Sequence, residues 1–339
     1  MAKVAINGFG RIGRLFFRQA FGNKNINIVA INDLGNIENL AYLLRHDSVY
    51  GAFRRPVKVE GKSLVVEGKR IECFQVKEPK KLPWRKMGVD IVVEATGVFD
   101  SFARAKDHLR AGAKRVVITA PTDDADGKDG ATVLMGINDN KLRSVKLSSN
   151  ASCTTNAASP VIAILSEKLG IEKAMLSTVH GYTASQALVD GPVKGHDLRR
   201  GRAAAYNIVP SSTGAAEAVE RALPDLAGKF DGIAFRVPVI AGSIADITLI
   251  SKRNTSVKEV NAILKEAAES SHWKGIMAVT EDPVVSSDIV GQPYGAIVDL
   301  PLTRVAGGNL VKVLSWYDNE YGYASTLVKH VLRIGDYLK

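Results

Sequence analysis

The residue with the clearest chemical potential is Cys153, one of two cysteines in the chain, set in the run Ser149-Asn150-Ala151-Ser152-Cys153-Thr154-Thr155-Asn156. The residues before it, Val145-Lys146-Leu147, read as the end of a buried strand, and Asn156 to Lys168 carries apolar residues at helical spacing. Cys153 is therefore expected near a helix N-terminus, where unpaired N–H groups and the positive end of the helix dipole favour thiolate over thiol. Its polar neighbours Ser152, Thr154 and Thr155 suit an anion better than an apolar core, so the chemistry expected is that of a nucleophile. A base for the thiol must come from elsewhere in the chain, because catalytic partners meet in space. His180 is the candidate, since it ends the strand-like run 174–179 and enters the glycine-bearing loop Gly181-Tyr182-Thr183. His46, His108, His196, His272 and His330 lie in charged or helical stretches and read as surface or capping groups.

The elements that must position such a pair point to two domains, as does the length of 339 residues. The strand Lys3–Asn7 runs into Gly8-Phe9-Gly10-Arg11-Ile12-Gly13, a helix follows to Phe21, and a second strand ends at Asn32-Asp33. Asp33 stands about 20 residues beyond Gly13, the spacing of a dinucleotide fingerprint. In that fingerprint glycines admit a pyrophosphate and the acid accepts from ribose hydroxyls. Three short strands joined by glycine turns, 57–59, 63–66 and 70–74, interrupt the parallel pattern, which resumes at 89–94, 115–119, 132–135 and 145–148. The second half reads differently. A long charged loop to about 205 precedes Ser211-Ser212-Thr213-Gly214-Ala215-Ala216, expected to open a helix with an anion site at its start. Strands are expected at 230–239, 244–251, 294–299 and 310–317, a capping box at Ser256-Val257-Lys258-Glu259, and a closing helix at 323–338. The fold expected is α/β: a Rossmann-type doubly wound parallel sheet over 1–152, rejoined by a C-terminal helix within 318–339, plus an α+β catalytic domain over 153–317 with a mostly antiparallel sheet.

Composition narrows the classes. No apolar run is long enough to span a membrane, no signal peptide precedes the first strand, and two cysteines in unlike contexts fit a reducing cytoplasm rather than a disulfide framework. The net charge of +10 raises nucleic-acid binding, but the Lys and Arg residues are scattered and no aromatic-interleaved platform accompanies them. No metal site is assigned.

Five motifs together carry a resemblance: Ala5 to Arg14, Ser149 to Asn156, Asp197-Leu198-Arg199-Arg200, Ser212 to Ala216, and Ser315-Trp316-Tyr317-Asp318-Asn319-Glu320. In order and along the whole chain, they resemble the phosphorylating glyceraldehyde-3-phosphate dehydrogenases. The resemblance implies a glycolytic, NAD-dependent oxidation of glyceraldehyde 3-phosphate in the presence of inorganic phosphate, by a homotetramer, through a hemithioacetal and thioester on Cys153 with His180 as base. It also implies that Ser152, Thr154, Thr213 and Gly214 receive inorganic phosphate, while Thr183, Arg200 and Arg236 hold the substrate phosphate. Cofactor contacts implied are Arg11, Ile12, Asp33, Thr96, Thr119 and Asn319 beside Gly8, Gly10 and Gly13, with Tyr323 flanking the nicotinamide. Asp33 favours NAD over NADP.

The chain departs from the family pattern at Ala184-Ser185 and at Val239, both near the presumed substrate-phosphate site, and the segment Val193-Lys194-Gly195-His196 reads as longer than usual. Ala157 stands where the family has a second cysteine that its mechanism does not require. The alternatives are an erythrose-4-phosphate dehydrogenase and a nucleic-acid-binding protein on a dehydrogenase fold.

Overall fold

A computed structural model describes residues 1–193 and 197–338. The long loop 193–196 therefore lies largely outside the described residues. The chain divides into two compact units, Met1–Ala151 with Leu327–Lys339, and Ser152–Thr326. The last helix, Tyr321–Asp336, is shared between them, so the return to the first unit begins at Leu327 rather than at 318.

Among the described residues, the first unit is built on a nine-stranded sheet of β1 (Ala2–Asn7), β2 (Ile26–Asn32), β3 (Val57–Glu60), β4 (Ser63–Val66), β5 (Lys69–Phe74), β6 (Ile91–Glu94), β7 (Arg115–Ile118), β8 (Gly130–Thr132) and β9 (Leu147–Ser149). Its order is β3-β4-β5-β2-β1-β6-β7-β9-β8. The β3–β4 and β4–β5 pairs are antiparallel and the other pairs parallel, as the glycine-turn excursion predicts. Val4, Ile6, Val93 and Val117 are buried on one face of the central strands, where Phe16 and Phe17 of helix Arg11–Ala20 pack. Burial of each such side chain contributes about 1.5–3 kcal/mol. Leu327, Val331 and Ile334 recur at helical spacing and seat the C-terminal helix in the same core. The strand expected at 132–135 forms earlier, because Gly130–Thr132 pairs with β9.

The second unit holds an eight-stranded sheet of β10 (Ile171–Gly181), β11 (Val209–Ser212), β12 (Phe230–Val237), β13 (Ser243–Ser251), β14 (Met277–Thr280), β15 (Ala296–Asp299), β16 (Arg304–Ala306) and β17 (Leu310–Tyr317). β10–β12 and β14–β15 are parallel and the remaining pairs antiparallel, so the sheet is mixed with antiparallel pairing dominant. Helix Cys153–Leu169 packs on β13, β15 and β17 and against helices Ala215–Ala222 and Val257–Glu269. The opposite face is open, with Met175, Val179, Ile233 and Leu310 exposed. Ser211 and Ser212 belong to β11, and the helix they were expected to open starts at Ala215. Ser256 caps the next helix through Glu259 N, but the Glu259 carboxylate takes bonds from Thr255 and Arg253, so the box is formed on one side.

Candidate active site

Cys153 is the first residue of its helix, one position after the cap and three before the expected start. Two local devices place it there. Ala151 holds a left-handed φ of 53°, rare for a residue with a Cβ, which turns the chain sharply off β9. Ser152 then caps the helix, its Oγ accepting from Thr155 N at 3.0 Å. His180 comes from the end of β10, where Val179 points outward and His180 is buried beneath. The result is a Cys153 Sγ to His180 Nε2 contact of 3.3 Å, which brings together the two residues singled out in the sequence.

The electrostatics of the pair reverse one expectation. Burial pushes the Cys153 thiol up, against the lowering effect of the Arg236 charge and of the backbone N–H groups of Thr154 and Cys153. The helix N-terminus therefore offsets part of a desolvation cost rather than setting a depressed value. Cys153 retains partial exposure, so water reaches the site and moderates that cost. Burial also pushes His180 down to about 3, and the Arg236 charge adds to the shift.

Arg236 reaches this pair through strand register: parallel pairing of β10 and β12 sets His180 directly beside Arg236. Its NH1 lies 2.8 Å from His180 Nδ1, which is also 2.6 Å from Gly181 O. Arg200 is anchored by Asp197 at 3.1 Å and Ser211 at 2.9 Å, and its charge is felt at both Arg236 and His180. Ser185 Oγ lies 2.9 Å from Thr183 Oγ1 and 3.4 Å from Arg200 NH1. The departure at Ser185 thus adds a hydroxyl to the cluster of Thr183 and Arg200. At Val239 the backbone matters most: its carbonyl accepts from Tyr182 N, and Gly181 beside it has no room for a Cβ.

Tyr317 is a contributor that residue-level reading left without a role. Its hydroxyl lies 2.8 Å from Thr154 Oγ1 and 2.7 Å from Thr178 Oγ1, and its ring packs edge-on against His180 at 5.8 Å between centroids. Its signal was positional, as the last residue of a strand with alternating burial. Thr154 is buried with its hydroxyl engaged by Tyr317, whereas Ser152 and Thr213 are part-exposed and Gly214 is exposed at the start of helix Ala215–Ala222. Thr213 Oγ1 accepts from Ala215 N at 3.2 Å. Asn319 is buried, its Oδ1 accepting from Gly242 N and Ser243 Oγ at 3.1 and 3.0 Å, which leaves Nδ2 as its donor. Tyr323 is also buried.

The first unit carries a groove of about 640 Å³ whose lining includes Gly8, Gly10, Asp33, Thr96, Leu34 and Val98. Glycine is required at Gly8, with φ +93°, because a Cβ there would lie 2.6 Å from Ala95 C and Thr96 N. A Cβ at Gly13 would lie 2.1 Å from Gly8 O, whereas none would meet an atom within 4 Å at Gly10. The motif thus brings the chain against the backbone after β6 at Gly8, closes the helix onto Gly8 at Gly13, and leaves the groove open at Gly10. Gly10 brings no side chain to the N-terminus of helix Arg11–Ala20, and no acidic residue occupies its first turn, so this end suits a pyrophosphate. Asp33 accepts from Phe9 N at 2.7 Å and Gly35 N at 2.8 Å, holding its carboxylate at the groove wall. These features fit a dinucleotide. Arg11 pairs with Asp47 at 2.5 Å, Ile12 packs against the core, and Thr119 N donates to Glu94 O; none of the three lines the groove.

Two histidines read as surface groups are buried instead. His108 accepts from Trp84 Nε1 at 3.0 Å and so donates through Nε2 to Glu94 at 2.8 Å, and Glu94 in turn holds Thr96. His330 bridges Ser148 and Asn150, and burial pushes it down to about 3. Both rings are apolar enough to enter a core when each nitrogen finds a partner.

Residues 2–102 match the glyceraldehyde 3-phosphate dehydrogenase NAD binding domain and residues 152–319 the C-terminal domain of the same family. A glyceraldehyde-3-phosphate dehydrogenase of Thermotoga maritima is 51% identical over 331 residues, covering 97% of each chain. One of Clostridium acetobutylicum is 46% identical over 333 residues, again 97% of each chain, and glyceraldehyde-3-phosphate dehydrogenase 1 of Bacillus subtilis is 48% identical over 328 residues, 96% of each. With both units matched and near full-length identity of this order, the chain belongs to the glyceraldehyde-3-phosphate dehydrogenase family.

Proposed function

We propose that the protein oxidises glyceraldehyde 3-phosphate with NAD and inorganic phosphate to 1,3-bisphosphoglycerate, and that the observation carrying this reading is the 3.3 Å contact between Cys153 Sγ and His180 Nε2 beside two guanidinium groups. Cys153 Sγ adds to the aldehyde carbon while His180 Nε2 takes the thiol proton and returns it to the new oxygen, giving a hemithioacetal. The backbone N–H of Cys153 is a donor available to that oxygen. His180 Nε2 then removes the hydroxyl proton as the adduct is oxidised to a thioester. When bound, NAD supplies the hydride acceptor. Inorganic phosphate, received by Ser152, Thr213 and Gly214 with Thr154 behind them, attacks the thioester carbon, and the Cys153 thiolate leaves to regain its proton.

Arg200, Arg236 and Thr183 hold the substrate's terminal phosphate, with Ser185 joining them. Guanidinium groups suit a dianion through paired donors and a permanent charge. NAD would be held by Gly8, Gly10, Gly13 and the N-terminus of helix Arg11–Ala20, with Asp33 receiving the adenosine ribose, Thr96 and Thr119 at strand ends, and Asn319 offering Nδ2 to the nicotinamide amide. Arg11 and Ile12 shape the helix start, and Tyr323 would flank the nicotinamide. The exposed apolar residues Met175, Val179, Ile233 and Leu310 support a homotetramer that covers this sheet face. Among the described residues no helix is long and apolar enough to cross a membrane, and both cysteines are free; we assign the reaction to the cytoplasm.

Steady-state rates with glyceraldehyde 3-phosphate and erythrose 4-phosphate, each with and without inorganic phosphate, test the reading. The triose is expected to turn over faster and to need inorganic phosphate. A phosphate-independent enzyme faster on the tetrose would move the assignment to an erythrose-4-phosphate dehydrogenase.

A further inference from the structure

We propose that Glu94 and His108 are positioning residues that pre-form the dinucleotide groove: buried hydrogen bonds from His108 on one side and Asn7 on the other converge on the Glu94 carboxylate, which sets Thr96 and three strand ends in place before NAD arrives. The inference rests on the reading of that groove as the NAD site.

Strand register assembles the group. β1, β2 and β6 end at Asn7, Asn32 and Glu94, and Asn7 is the register partner of both others. All three side chains are buried, as is His108 from helix Phe102–Arg110. Asn32 Nδ2 donates to Asn7 Oδ1 at 2.6 Å, and Asn7 Nδ2 donates to Glu94 Oε2 at 2.5 Å. His108 Nε2 lies 2.8 Å from the same oxygen. The other oxygen, Oε1, accepts from Thr96 N at 2.9 Å and from Thr96 Oγ1 at 2.5 Å.

The direction of every bond is fixed by two groups that cannot reverse. The Trp84 indole only donates, so His108 Nδ1 is the acceptor at 3.0 Å and the ring proton sits on Nε2, facing Glu94. At the other end the Val76 peptide donates to Asn32 Oδ1 and accepts from Asn32 Nδ2, both at 2.9 Å. That orients the Asn32 amide, which in turn orients Asn7. Donors therefore reach Glu94 from both sides, and both of its oxygens must accept. Asn7, Asn32, Val76 and Thr96 all line the groove, so one carboxylate ties together four of its wall segments. The Thr96 hydroxyl is held twice, donating to Glu94 and accepting from Val98 N at 3.1 Å. Glutamine has the size of Glu94 but a single acceptor oxygen, so Glu94→Gln keeps the shape and breaks the polarity. A groove without this tie spends part of its time in other arrangements. Only the competent fraction then admits the ligand, which slows entry and leaves exit from the closed site unchanged.

The test is stopped-flow binding of NADH to the full-length protein, read by its fluorescence, with Glu94→Gln and His108→Leu as variants. Each is expected to associate roughly tenfold more slowly, the weight of one hydrogen bond to a carboxylate, with dissociation within about twofold of wild type. His108→Gln, which returns an N–H to Glu94, should recover most of the association rate. Asp33→Ala removes a proposed direct contact and should instead dissociate faster. Wild-type association in either folded chain variant would overturn the inference, as would weakening that appears only as faster dissociation. Should Glu94→Gln not fold, the two His108 variants decide. Weakened binding in Asp33→Ala beside wild-type rates in the chain variants would overturn the inference alone. Unchanged binding in Asp33→Ala and in the chain variants would overturn the groove as the NAD site as well.

Discussion

Replacing His180 with Asn should lower kcat/KM for glyceraldehyde 3-phosphate at pH 7 by roughly 10²- to 10⁴-fold, or about 3–5 kcal/mol of transition-state stabilisation. The lower bound follows from the thiol. Its ordinary value of 9.0 corresponds to about 1% thiolate at pH 7, and burial lowers that fraction further. Without a base, only this preformed thiolate can attack. Thr154 and Arg236, the other groups acting on the sulfur, supply a hydroxyl and a guanidinium that do not accept a proton near neutrality. The upper part of the range comes from losing the same base when the hemithioacetal hydroxyl is deprotonated. The variant should also carry a signature that simple damage would not: its rate should rise about tenfold per pH unit below the thiol pKa, so its deficit shrinks toward alkaline pH. Steady-state NADH formation from pH 6 to 9, with NAD affinity measured in parallel, reads both effects. A loss smaller than about tenfold, or a deficit independent of pH, would refute the reasoning.

Three further outcomes are expected. Iodoacetamide should label Cys153 faster than Cys73 in the folded protein at pH 8, because Cys73 is pushed up to about 11 by burial and has Glu72 rather than Arg236 beside it; mass spectrometry showing equal rates would count against the pair. Gly8→Ala should weaken NAD binding and lower stability by about 1–3 kcal/mol, since the new Cβ meets backbone at 2.6 Å and the residue must keep φ +93°; unchanged affinity and urea midpoint would mean that the groove relaxes freely. NAD should exceed NADP in kcat/KM because the Asp33 carboxylate, fixed by Phe9 and Gly35, repels a 2′-phosphate. The reverse preference would remove Asp33 from the ribose site.

What the sequence made legible was mostly local. A glycine motif between strand and helix, a cysteine ahead of an apolar helical run, and alternating strands each announce themselves over a few residues. The groove at Gly8 and Asp33 and the helix beginning at Cys153 follow from such patterns. What escaped depends on register and burial. That Arg236 touches His180 is a consequence of β10–β12 pairing between residues 56 positions apart, and Tyr317 reaches Thr154 across 163 positions. His108 and His330 looked exposed because their neighbours in sequence are charged, whereas their neighbours in space are Trp84 and Glu94, or Ser148 and Asn150. The thiol follows the same division: the helix end is visible in the sequence, but the desolvation that opposes it is not.

The central claim, that oxidation stops at a thioester on Cys153 until inorganic phosphate arrives, is open to one direct measurement. Rapid mixing of the NAD-saturated protein with glyceraldehyde 3-phosphate in phosphate-free buffer should give a burst approaching one NADH per chain, followed by near-silence. Adding inorganic phosphate should then restore steady turnover. Continued NADH formation without phosphate, or a burst that survives in Cys153→Ser, would contradict the account.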